Sequence, residues 1–277
     1  MDQKFTEGAV ATALGVPTAV YLGTGSFGET WRIDTHTGPE AVKIIHVDGY
    51  DDERLRREVT GYQRVASPHV VELLRTQIVT VAGKARAAMV FRYIPGGDLE
   101  HALQTRRPRP NELHGLARGL LKGIAAMHGA DLLHRDLKPA NVALQGGDFR
   151  APVVLDLGLT KLLDVDSITK YPTHIGTLLY MAPEQLRQER ALRASDLWAV
   201  GVILYEAAVG QHPFIGPDER LPLEELLQRM ETSVLVPQGT RLPTQVSDLI
   251  GRCLSYQAYR RGTVDRALAR LEEGASA

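Results

Sequence analysis

Apolar residues in the first third of the chain occur in short runs and alternations that are typical of β-strands. One helix is expected among the strands, at about Asp51 to Ala66, because its acidic start suits the positive end of a helix dipole. The six expected strands are Val20–Leu22, Thr30–Ile33, Ala41–Ile45, Glu72–Leu74, Ile78–Val81 and Ala88–Phe91.

Beyond Pro95-Gly96-Gly97 the apolar residues recur at intervals of three and four, which predicts helices. The first is expected to begin at Asn111, a candidate N-cap. Strands followed by helices indicate one α+β domain with two lobes. We expect a small β-rich N-lobe with one helix at about 1–93, a hinge at about 92–97 and a larger helical C-lobe at about 98–277. The later helices are expected at Ser195–Val209, Leu223–Met230, Gln245–Leu254 and Thr263–Glu272.

Composition and charge exclude several classes of partner. Lys and Arg number 32 against 33 Asp and Glu, so the formal net charge is -1. Nucleic acids and anionic membranes require a basic surplus, so neither is expected as the main partner. The longest apolar stretch, Leu197 to Val209, has about 13 residues against the roughly 20 of a membrane span. The single cysteine, Cys253, excludes an internal disulfide and fits a reducing compartment, so we expect a cytoplasmic location.

A glycine-rich segment, Gly23-Thr24-Gly25-Ser26-Phe27-Gly28, is the first candidate for binding chemistry. Glycines at this spacing let backbone N–H groups approach phosphate oxygens. A plain tight hairpin or a dinucleotide-binding fingerprint has the same spacing, but the fingerprint requires a helix afterwards. The strand expected at Thr30–Ile33 therefore favours a hairpin folded over a phosphate.

Lys43 lies in an apolar strand, fifteen residues after Gly28. A lysine buried there needs a counter-charge. Glu58 lies three residues after Leu55 and four before Tyr62, on the apolar face of the following helix. The sequence therefore predicts an ion pair between Lys43 and Glu58.

The densest group of polar residues is His134-Arg135-Asp136-Leu137-Lys138-Pro139-Ala140-Asn141, and Asp156 follows Asn141 by fifteen residues. Phosphoryl transfer from ATP needs oxygen ligands for Mg²⁺, a cation on the phosphates and a group that orients the attacking hydroxyl. Asp136, Asn141, Asp156 and Lys43 supply one group for each task. A single aspartate more often caps a turn, but four such residues in this order make chance a poor explanation.

With these motifs the chain resembles the eukaryotic-type (Hanks-type) Ser/Thr protein kinases, including their bacterial members, over about Ala19 to Leu271. The resemblance implies an ATP-dependent phosphotransferase that acts on Ser and Thr hydroxyls of proteins, with Mg²⁺ as cofactor and Mn²⁺ as an alternative. Catalytic roles are implied for Asp136, Lys138, Lys43 and Glu58, and metal binding is implied for Asn141 and Asp156.

The resemblance also implies where the nucleotide binds. Phe91 falls at the gatekeeper position, and Asp98 falls where an acidic residue often meets the ribose. Thr30 and Ala143 replace a Val and a Leu that pack on the two faces of adenine, which predicts a loosely held base. Two further departures are Leu157 for the usual Phe and Ala140 for a frequent Glu. The implied nucleotide contacts are Leu22, Gly23, Thr24, Gly25, Ser26, Phe27, Gly28, Thr30, Ala41, Lys43, Phe91, Arg92, Ile94, Asp98 and Ala143.

Matches continue in the C-terminal half. Gly176-Thr177 and Tyr180-Met181-Ala182-Pro183-Glu184 match the end of an activation segment. Asp196 matches an aspartate on a buried helix that ties down the catalytic loop, and Arg261 matches the arginine that pairs with the glutamate at 184. Lys138 and Thr177 together are typical of Ser/Thr rather than Tyr specificity.

Arg135, directly before Asp136, marks family members whose activation segment is ordered by phosphate. An arginine in this place needs an anion when it is partly buried. We expect phosphorylation on Thr173, or on Thr169 as second choice, by self-association and trans-autophosphorylation. The alternative that these threonines are ordinary loop residues stays open.

Two other functions stay open from the sequence. A small-molecule kinase of related fold, such as an antibiotic phosphotransferase, shares the acidic motifs but lacks the Gly-Thr…Ala-Pro-Glu segment present here. A pseudokinase scaffold requires a broken catalytic residue, and the motifs contain none. The physiological substrate and the activating signal are not encoded in any motif.

Overall fold

A computed structural model describes residues 3–25, 27–46, 52–156, 178–216, 219–232, 234, 236–237 and 239–273 of the chain. The chain divides into two compact units. The first consists of Met1–Ala66 with Val71–Tyr93, and the second of Ser67–Val70 with Ile94–Ala277.

The elements of the first unit are α1 (Glu7–Leu14), β1 (Ala19–Thr24), β2 (Gly28–Thr35), β3 (Gly38–Ile45), α2 (Asp52–Arg64), β4 (Leu73–Val81) and β5 (Lys84–Arg92). The five strands form one sheet in which all neighbouring strands are antiparallel, in the order β1-β2-β3-β5-β4. Two of the expected strands, Glu72–Leu74 and Ile78–Val81, belong to the single strand β4. The sequence suggested two strands because β4 lies at the edge of the sheet and its largely exposed first half carries polar residues.

Helix α1 is not predicted from the sequence. Thr6 caps its start by accepting a hydrogen bond from the backbone N–H of Ala9 (3.3 Å), and Gly15 ends it with φ +66°. The helix is short and rich in Ala, so it carries no clear apolar stripe. It packs against β1 and β4.

The two faces of this sheet are chemically different. Trp31 lies opposite Val42 in the β2–β3 register, and Val42 lies opposite Val90, so the three side chains share one face. These residues form one buried apolar cluster with Val10 of α1. Lys43, the next residue after Val42, projects from the opposite face because successive strand side chains alternate.

The second unit is mainly helical. Its described elements are α3 (Leu99–Thr105), α4 (Pro110–Gly129), β6 (Val142–Leu144), β7 (Pro152–Val154), α5 (Pro183–Leu186), α6 (Arg193–Val209), α7 (Leu223–Met230), α8 (Thr244–Cys253), α9 (Ala258–Arg261) and α10 (Val264–Glu272), with 3₁₀ turns at Pro139–Asn141 and Gln145–Gly147. The long helix α4 packs against α6, β7 and α10 through a continuous buried face. Strands followed by helices confirm the α+β class.

Helix ends differ from the sequence expectations by one or two residues, and Leu223–Met230 agrees with them. Asn111 is not the N-cap of α4. Pro110 begins the helix, because its fixed φ suits the first helical position, and Arg109 is the N-cap. The Glu112 carboxylate accepts from the Arg109 N–H (2.8 Å), and the Asn111 amide oxygen accepts from the N–H of Glu112 (2.9 Å). In the part of the chain that the structure describes, no helix has the length and apolar character needed to cross a membrane.

Candidate active site

Lys43 and Glu58 form a buried ion pair within the first unit. The Nζ atom of Lys43 on β3 lies 4.0 Å from Oε1 of Glu58 on α2, and both side chains are almost fully buried. The sheet face that carries Lys43 also carries Phe91, whose ring packs edge-on to Tyr62 of α2 with 5.0 Å between centroids. The ion pair predicted from the apolar face of this helix is present.

The glycine-rich segment is a hairpin between β1 and β2, as the strand after it predicted. The backbone N–H of Gly25 donates to the carbonyl of Gly28 across the turn (2.9 Å). Gly28 admits no side chain, because a Cβ atom there would lie 2.5 Å from the carbonyl oxygen of Ile44. The backbone therefore lies close to β3, with its N–H groups unobstructed by a side chain at Gly28. Ser26 lies outside the described residues.

Other nucleotide candidates of the first unit lie on the face of Lys43 or at the strand ends. Thr30 pairs with Lys43 across β2 and β3, and Ala41 pairs with Phe91 across β3 and β5. Arg92 is exposed; its side chain pairs with Glu72 (2.6 Å), and its N–H donates to the Glu72 carbonyl (3.0 Å). Leu22, Gly23, Thr24 and Phe27 belong to the glycine-rich hairpin and its flanks. Their contact with a nucleotide stays a prediction.

In the second unit, Asp196 of α6 anchors the segment around Asp136. Its carboxylate accepts hydrogen bonds from the backbone N–H groups of His134 (3.0 Å) and Arg135 (2.9 Å) and lies 2.9 Å from Nε2 of His128. Asp196 is 2% exposed, so these partners satisfy a charge that would otherwise be costly to bury. Arg135 adopts φ +65°, a backbone conformation that non-glycine residues rarely take. The anchoring role predicted for Asp196 is confirmed.

Asp136, Lys138 and Asn141 lie together on this anchored segment. The Lys138 ammonium is 3.4 Å from Oδ2 of Asp136. The Asn141 amide nitrogen donates to the Asp136 carbonyl (2.8 Å) and lies 3.4 Å from Oδ2. All three side chains are half-buried. Because this amide nitrogen faces Asp136, the amide oxygen of Asn141 points away from Asp136.

The β6–β7 hairpin brings Asn141 and Asp156 to neighbouring chain ends. Val142 pairs with Val154, so the residues just outside the hairpin lie side by side, and the Leu155 N–H donates to the Asn141 carbonyl (2.8 Å). Asp156 follows directly, with φ +50°. A carboxylate and an amide oxygen are hard oxygen ligands of the kind that Mg²⁺ takes alongside water and phosphate. The donor set therefore fits Mg²⁺.

The remaining nucleotide candidates of the second unit are Ile94 and Asp98, which precede α3, and Ala143 of β6. Asp98 caps α3 by accepting from the N–H of His101 (2.7 Å), and it bridges to the buried Ala143. The Gly97 carbonyl accepts from the Leu144 N–H (2.9 Å), which fixes the chain that follows Ile94 against the hairpin. Several residues for which the sequence predicted phosphate control or a place in the activation segment lie outside the described residues: Leu157, Gly158, Thr169, Thr173, Gly176 and Thr177.

Glu184 and Arg261 form a buried, bidentate pair, as predicted, with N–O distances of 2.7 and 3.0 Å. Ser195, which the sequence reading did not single out, donates to the same carboxylate (2.7 Å). Burial alone would raise the pKa of Glu184, but the hydrogen bonds and charge of Arg261 outweigh it and hold the pKa below its usual value. A further support, Gln185, donates to the Arg135 carbonyl (3.1 Å).

The sequence reading also missed two contacts that hold the chain at residues 178–182. The Tyr180 hydroxyl donates to Glu206 of α6 (2.6 Å), and burial raises the pKa of that carboxyl. His212 lies 2.9 Å from the Leu179 carbonyl, and burial lowers its pKa to about 4, so the ring is neutral at neutral pH and donates from Nε2. These pairs lie 26 and 33 residues apart, and no local pattern marks them.

Comparison with known families matches residues 18–271 to the protein kinase domain. The chain is 33% identical over 257 residues to the probable serine/threonine-protein kinase PkwA of Thermomonospora curvata, covering 90% of this chain and 33% of that protein. It is 32% identical over 263 residues to the serine/threonine-protein kinase PkaB of Streptomyces coelicolor, covering 91% and 61%. It is 29% identical over 236 residues to the serine/threonine-protein kinase SRK2I of Arabidopsis thaliana, covering 83% and 64%.

The chain thus spans a third of the first relative and just under two thirds of the other two. The family match covers nearly all of it, and both bacterial relatives match along about nine tenths of it. The β-rich first unit and the helical second unit agree with the bilobal fold of this family. The chain therefore belongs to the protein kinase domain family and is a Hanks-type serine/threonine protein kinase domain.

Proposed function

We propose that residues 1–277 act as one protein kinase domain that transfers the γ-phosphoryl group of ATP to Ser and Thr hydroxyls of proteins. The observation that carries the proposal is the cluster of Asp136, Lys138 and Asn141 on a segment that the buried Asp196 anchors. Such a cluster positions a carboxylate, a cation and an oxygen ligand before any substrate binds. Preorganised groups of this kind supply most of the catalysis in phosphoryl transfer.

Asp136 is the residue that we assign to the attacking hydroxyl. Its carboxylate orients the hydroxyl and accepts its proton. Lys138, 3.4 Å from this carboxylate, carries the positive charge that we assign to the γ-phosphate.

Lys43 is assigned to the α- and β-phosphates, with Glu58 holding its side chain in place. Asn141 and Asp156 are the residues that would hold Mg²⁺, or Mn²⁺ in its place. The ion, when bound, neutralises charge on the phosphate oxygens. The hairpin geometry that sets Asn141 beside Leu155 supports this assignment.

The nucleotide contacts that we propose combine the glycine-rich hairpin with an adenine pocket. The close approach of Gly28 to β3 supports a hairpin whose backbone binds phosphate. For the adenine pocket and the ribose we propose the side chains or backbone of Leu22, Thr30, Ala41, Phe91, Arg92, Ile94, Asp98 and Ala143.

We further propose that the kinase phosphorylates its own activation segment, on Thr173 or Thr169, by transient self-association. Support comes from Arg135, whose backbone is fixed by Asp196 and Gln185 directly before Asp136. A phosphate brings about -2 charges and three acceptor oxygens, which a fixed arginine binds well. Order in the segment would then depend on the phosphate.

Protein rather than small-molecule substrates are favoured by the relatives' names, which describe serine/threonine-protein kinases. The pseudokinase alternative is disfavoured by the intact set of Lys43, Asp136, Asn141 and Asp156. We place the domain in the cytoplasm, where ATP is abundant and a buried thiol such as Cys253 stays reduced.

Incubation of the full chain with γ-labelled ATP, Mg²⁺ and a generic protein substrate tests the proposal. We expect label on Ser and Thr of the substrate, and a loss of at least about 100-fold in the Asp136→Asn variant at unchanged melting temperature. Substrate without label, or Asp136→Asn at more than about a tenth of wild-type turnover, would overturn the assignment.

Mass spectrometry of the active protein tests the control mechanism separately. We expect phosphate on Thr173 or Thr169, and loss of activity in the double Thr→Ala variant as in Arg135→Ala. Fully active enzyme without phosphate in the segment would refute this regulation and leave the transfer activity standing.

A further inference from the structure

Residues Gln3–Leu14, here called the N-terminal arm, cover the sheet face opposite Lys43. Phe5 and Val10 of the arm are buried in one apolar cluster with Trp31 of β2 and Val81 of β4. The guanidinium of Arg86 stacks on the Phe5 ring, 5.1 Å from its centroid. The arm is therefore an integral layer of the first unit.

The start of the arm is hydrogen-bonded to the end of the glycine-rich hairpin through Glu29. Glu29 directly follows Gly28, and its side chain is 0% exposed. Its carboxylate accepts from the backbone N–H of Lys4, in a short contact, and from that of Phe5 at 3.3 Å. A buried carboxylate is stable only when such donors replace water, so Glu29 fixes the path of the arm.

A second contact ties the arm to β3. The Lys4 ammonium lies 3.3 Å from Nδ1 of His46, the residue that follows β3. Burial and the charge of Lys4 lower the pKa of His46, so its neutral ring accepts at Nδ1. The His46 backbone N–H donates to the carbonyl of Phe27 inside the hairpin (2.9 Å). Through Glu29 and His46, Lys4 and Phe5 thus contact both chain segments that adjoin the hairpin, the start of β2 and the end of β3.

We propose that Glu29 is a positioning residue for nucleotide binding: it couples the N-terminal arm to the glycine-rich hairpin and so holds the hairpin in its phosphate-binding shape. The inference rests on the proposed function, because it takes ATP phosphate as the hairpin's ligand. Glycine-rich segments lose much conformational entropy when they become ordered. An arm that orders the hairpin in advance removes part of this cost from nucleotide binding.

This coupling predicts a specific kinetic signature. The hairpin holds phosphates both before and during transfer, so loosening it weakens ground-state and transition-state binding alike. Such a change raises KM for ATP and leaves kcat nearly unchanged. If the role of Glu29 were purely structural, its replacement would lower the melting temperature without changing KM or kcat.

The test compares Glu29→Ala and Glu29→Gln with Val81→Ala, a control that perturbs the apolar cluster shared with the arm and leaves the hydrogen bonds of Glu29 in place. Titration calorimetry gives Kd for Mg-ATP in the full chain, steady-state kinetics give KM and kcat, and melting gives Tm. We expect Glu29→Ala to raise Kd and KM about three- to tenfold with kcat within about twofold. Glu29→Gln, which keeps the shape, should recover part of the loss, and Val81→Ala should lower Tm alone.

A second pair of variants acts without touching the buried carboxylate. Lys4→Pro removes one N–H donor to Glu29, and Lys4→Ala removes only the ammonium that contacts His46. Lys4 is exposed, so both variants retain the core. We expect Lys4→Pro to raise Kd for Mg-ATP more than Lys4→Ala. Wild-type Kd in both Lys4→Pro and Glu29→Gln would overturn the inference, whereas a wild-type chain that binds no Mg-ATP would instead overturn the proposed function.

Discussion

Replacing Arg261 by Met should lower the free energy of unfolding of the second unit by more than the loss of an exposed ion pair does. All five N–H donors of this guanidinium are used: two face Glu184, and three face the carbonyls of Ala194, Ser255 and Tyr256 at 2.8–3.1 Å. The group also stacks on Trp198, 4.9 Å from a ring centroid. Met keeps the apolar stem and removes every polar contact.

The magnitude follows from the charge that is left behind. Glu184 is 4% exposed, and without Arg261 its carboxylate keeps the Ser195 hydroxyl at 2.7 Å as a neutral partner. Breaking a buried pair in this way costs about 3–5 kcal/mol. The matched control is Arg193→Met, because Arg193 pairs with Asp131 at 2.6 Å on the surface, with side chains 59% and 88% exposed. An exposed pair contributes about 0–1 kcal/mol.

The dependence on pH separates lost charge pairing from lost packing. In the wild type the pKa of Glu184 lies below its usual 4.5, so the stability from this group is complete above about pH 4.5 and is lost as pH falls through the folded-state pKa. In Arg261→Met the pKa of Glu184 shifts in the opposite direction, because burial without a cation raises it. The free-energy cost of burying the unpaired carboxylate is then full at neutral pH and disappears as the carboxyl is protonated. The stability gap between the two proteins should therefore narrow between pH 7 and about pH 4.

Urea unfolding followed by circular dichroism at several pH values measures this gap. The double variant Arg261→Met/Glu184→Gln, which removes the buried charge, should recover part of the loss at pH 7 and show little change with pH. A loss below about 1 kcal/mol in Arg261→Met, or a gap that stays constant with pH, would refute the reasoning.

Three further predictions concern metal, adenine and thiol. EDTA should abolish transfer and added Mg²⁺ or Mn²⁺ should restore it, measured with labelled ATP, because Asn141 and Asp156 have the donor atoms of a metal site; undiminished activity in EDTA would contradict this. Thr30→Val should lower KM for ATP by about tenfold at most at similar kcat, since added apolar surface supplies uniform binding; a KM that rises would show a pocket already filled. Burial raises the pKa of Cys253 to about 12, so maleimide should label this thiol only after unfolding in urea, and rapid labelling of the native protein would place the thiol at the surface.

The segment Asp136–Asn141, to which we assign the catalytic groups, could be predicted because its information is local. Asp136, Lys138 and Asn141 lie within six residues, and a short turn with a 3₁₀ geometry brings them together. The Lys43–Glu58 pair was predictable for a related reason, since one residue follows a strand pattern and the other lies on a helix face. In each case the periodicity of the element determines the direction of the side chain.

The contacts that escaped prediction join distant parts of the sequence. Glu29 and Lys4 are 25 residues apart in the sequence. Helix α1, which belongs to the same arm as Lys4, has no amphipathic stripe that would reveal a packed layer. A glutamate after a glycine in a strand is read from sequence alone as an exposed residue. Only the fold shows that the arm covers this position, and that a polar residue there has partners in the backbone.

The backbone at Arg135 and Asp156 has positive φ angles, and Asp196 and the β6–β7 hairpin hold these two residues in place. Residues held in such conformations cost about 1–3 kcal/mol each, so the surrounding structure must fix them. Two N–H bonds to the buried Asp196 hold the chain at Arg135, and the hydrogen bond from Leu155 to Asn141 holds the chain that leads into Asp156. The His134 ring joins the two, since its Nδ1 accepts from the Asp136 N–H (3.3 Å) and its Nε2 lies 3.0 Å from the Leu155 carbonyl. With a hydrogen on Nε2 and none on Nδ1, the His134 ring satisfies both contacts, so the backbone at Asp136 and the backbone that leads into Asp156 are held by one buried ring.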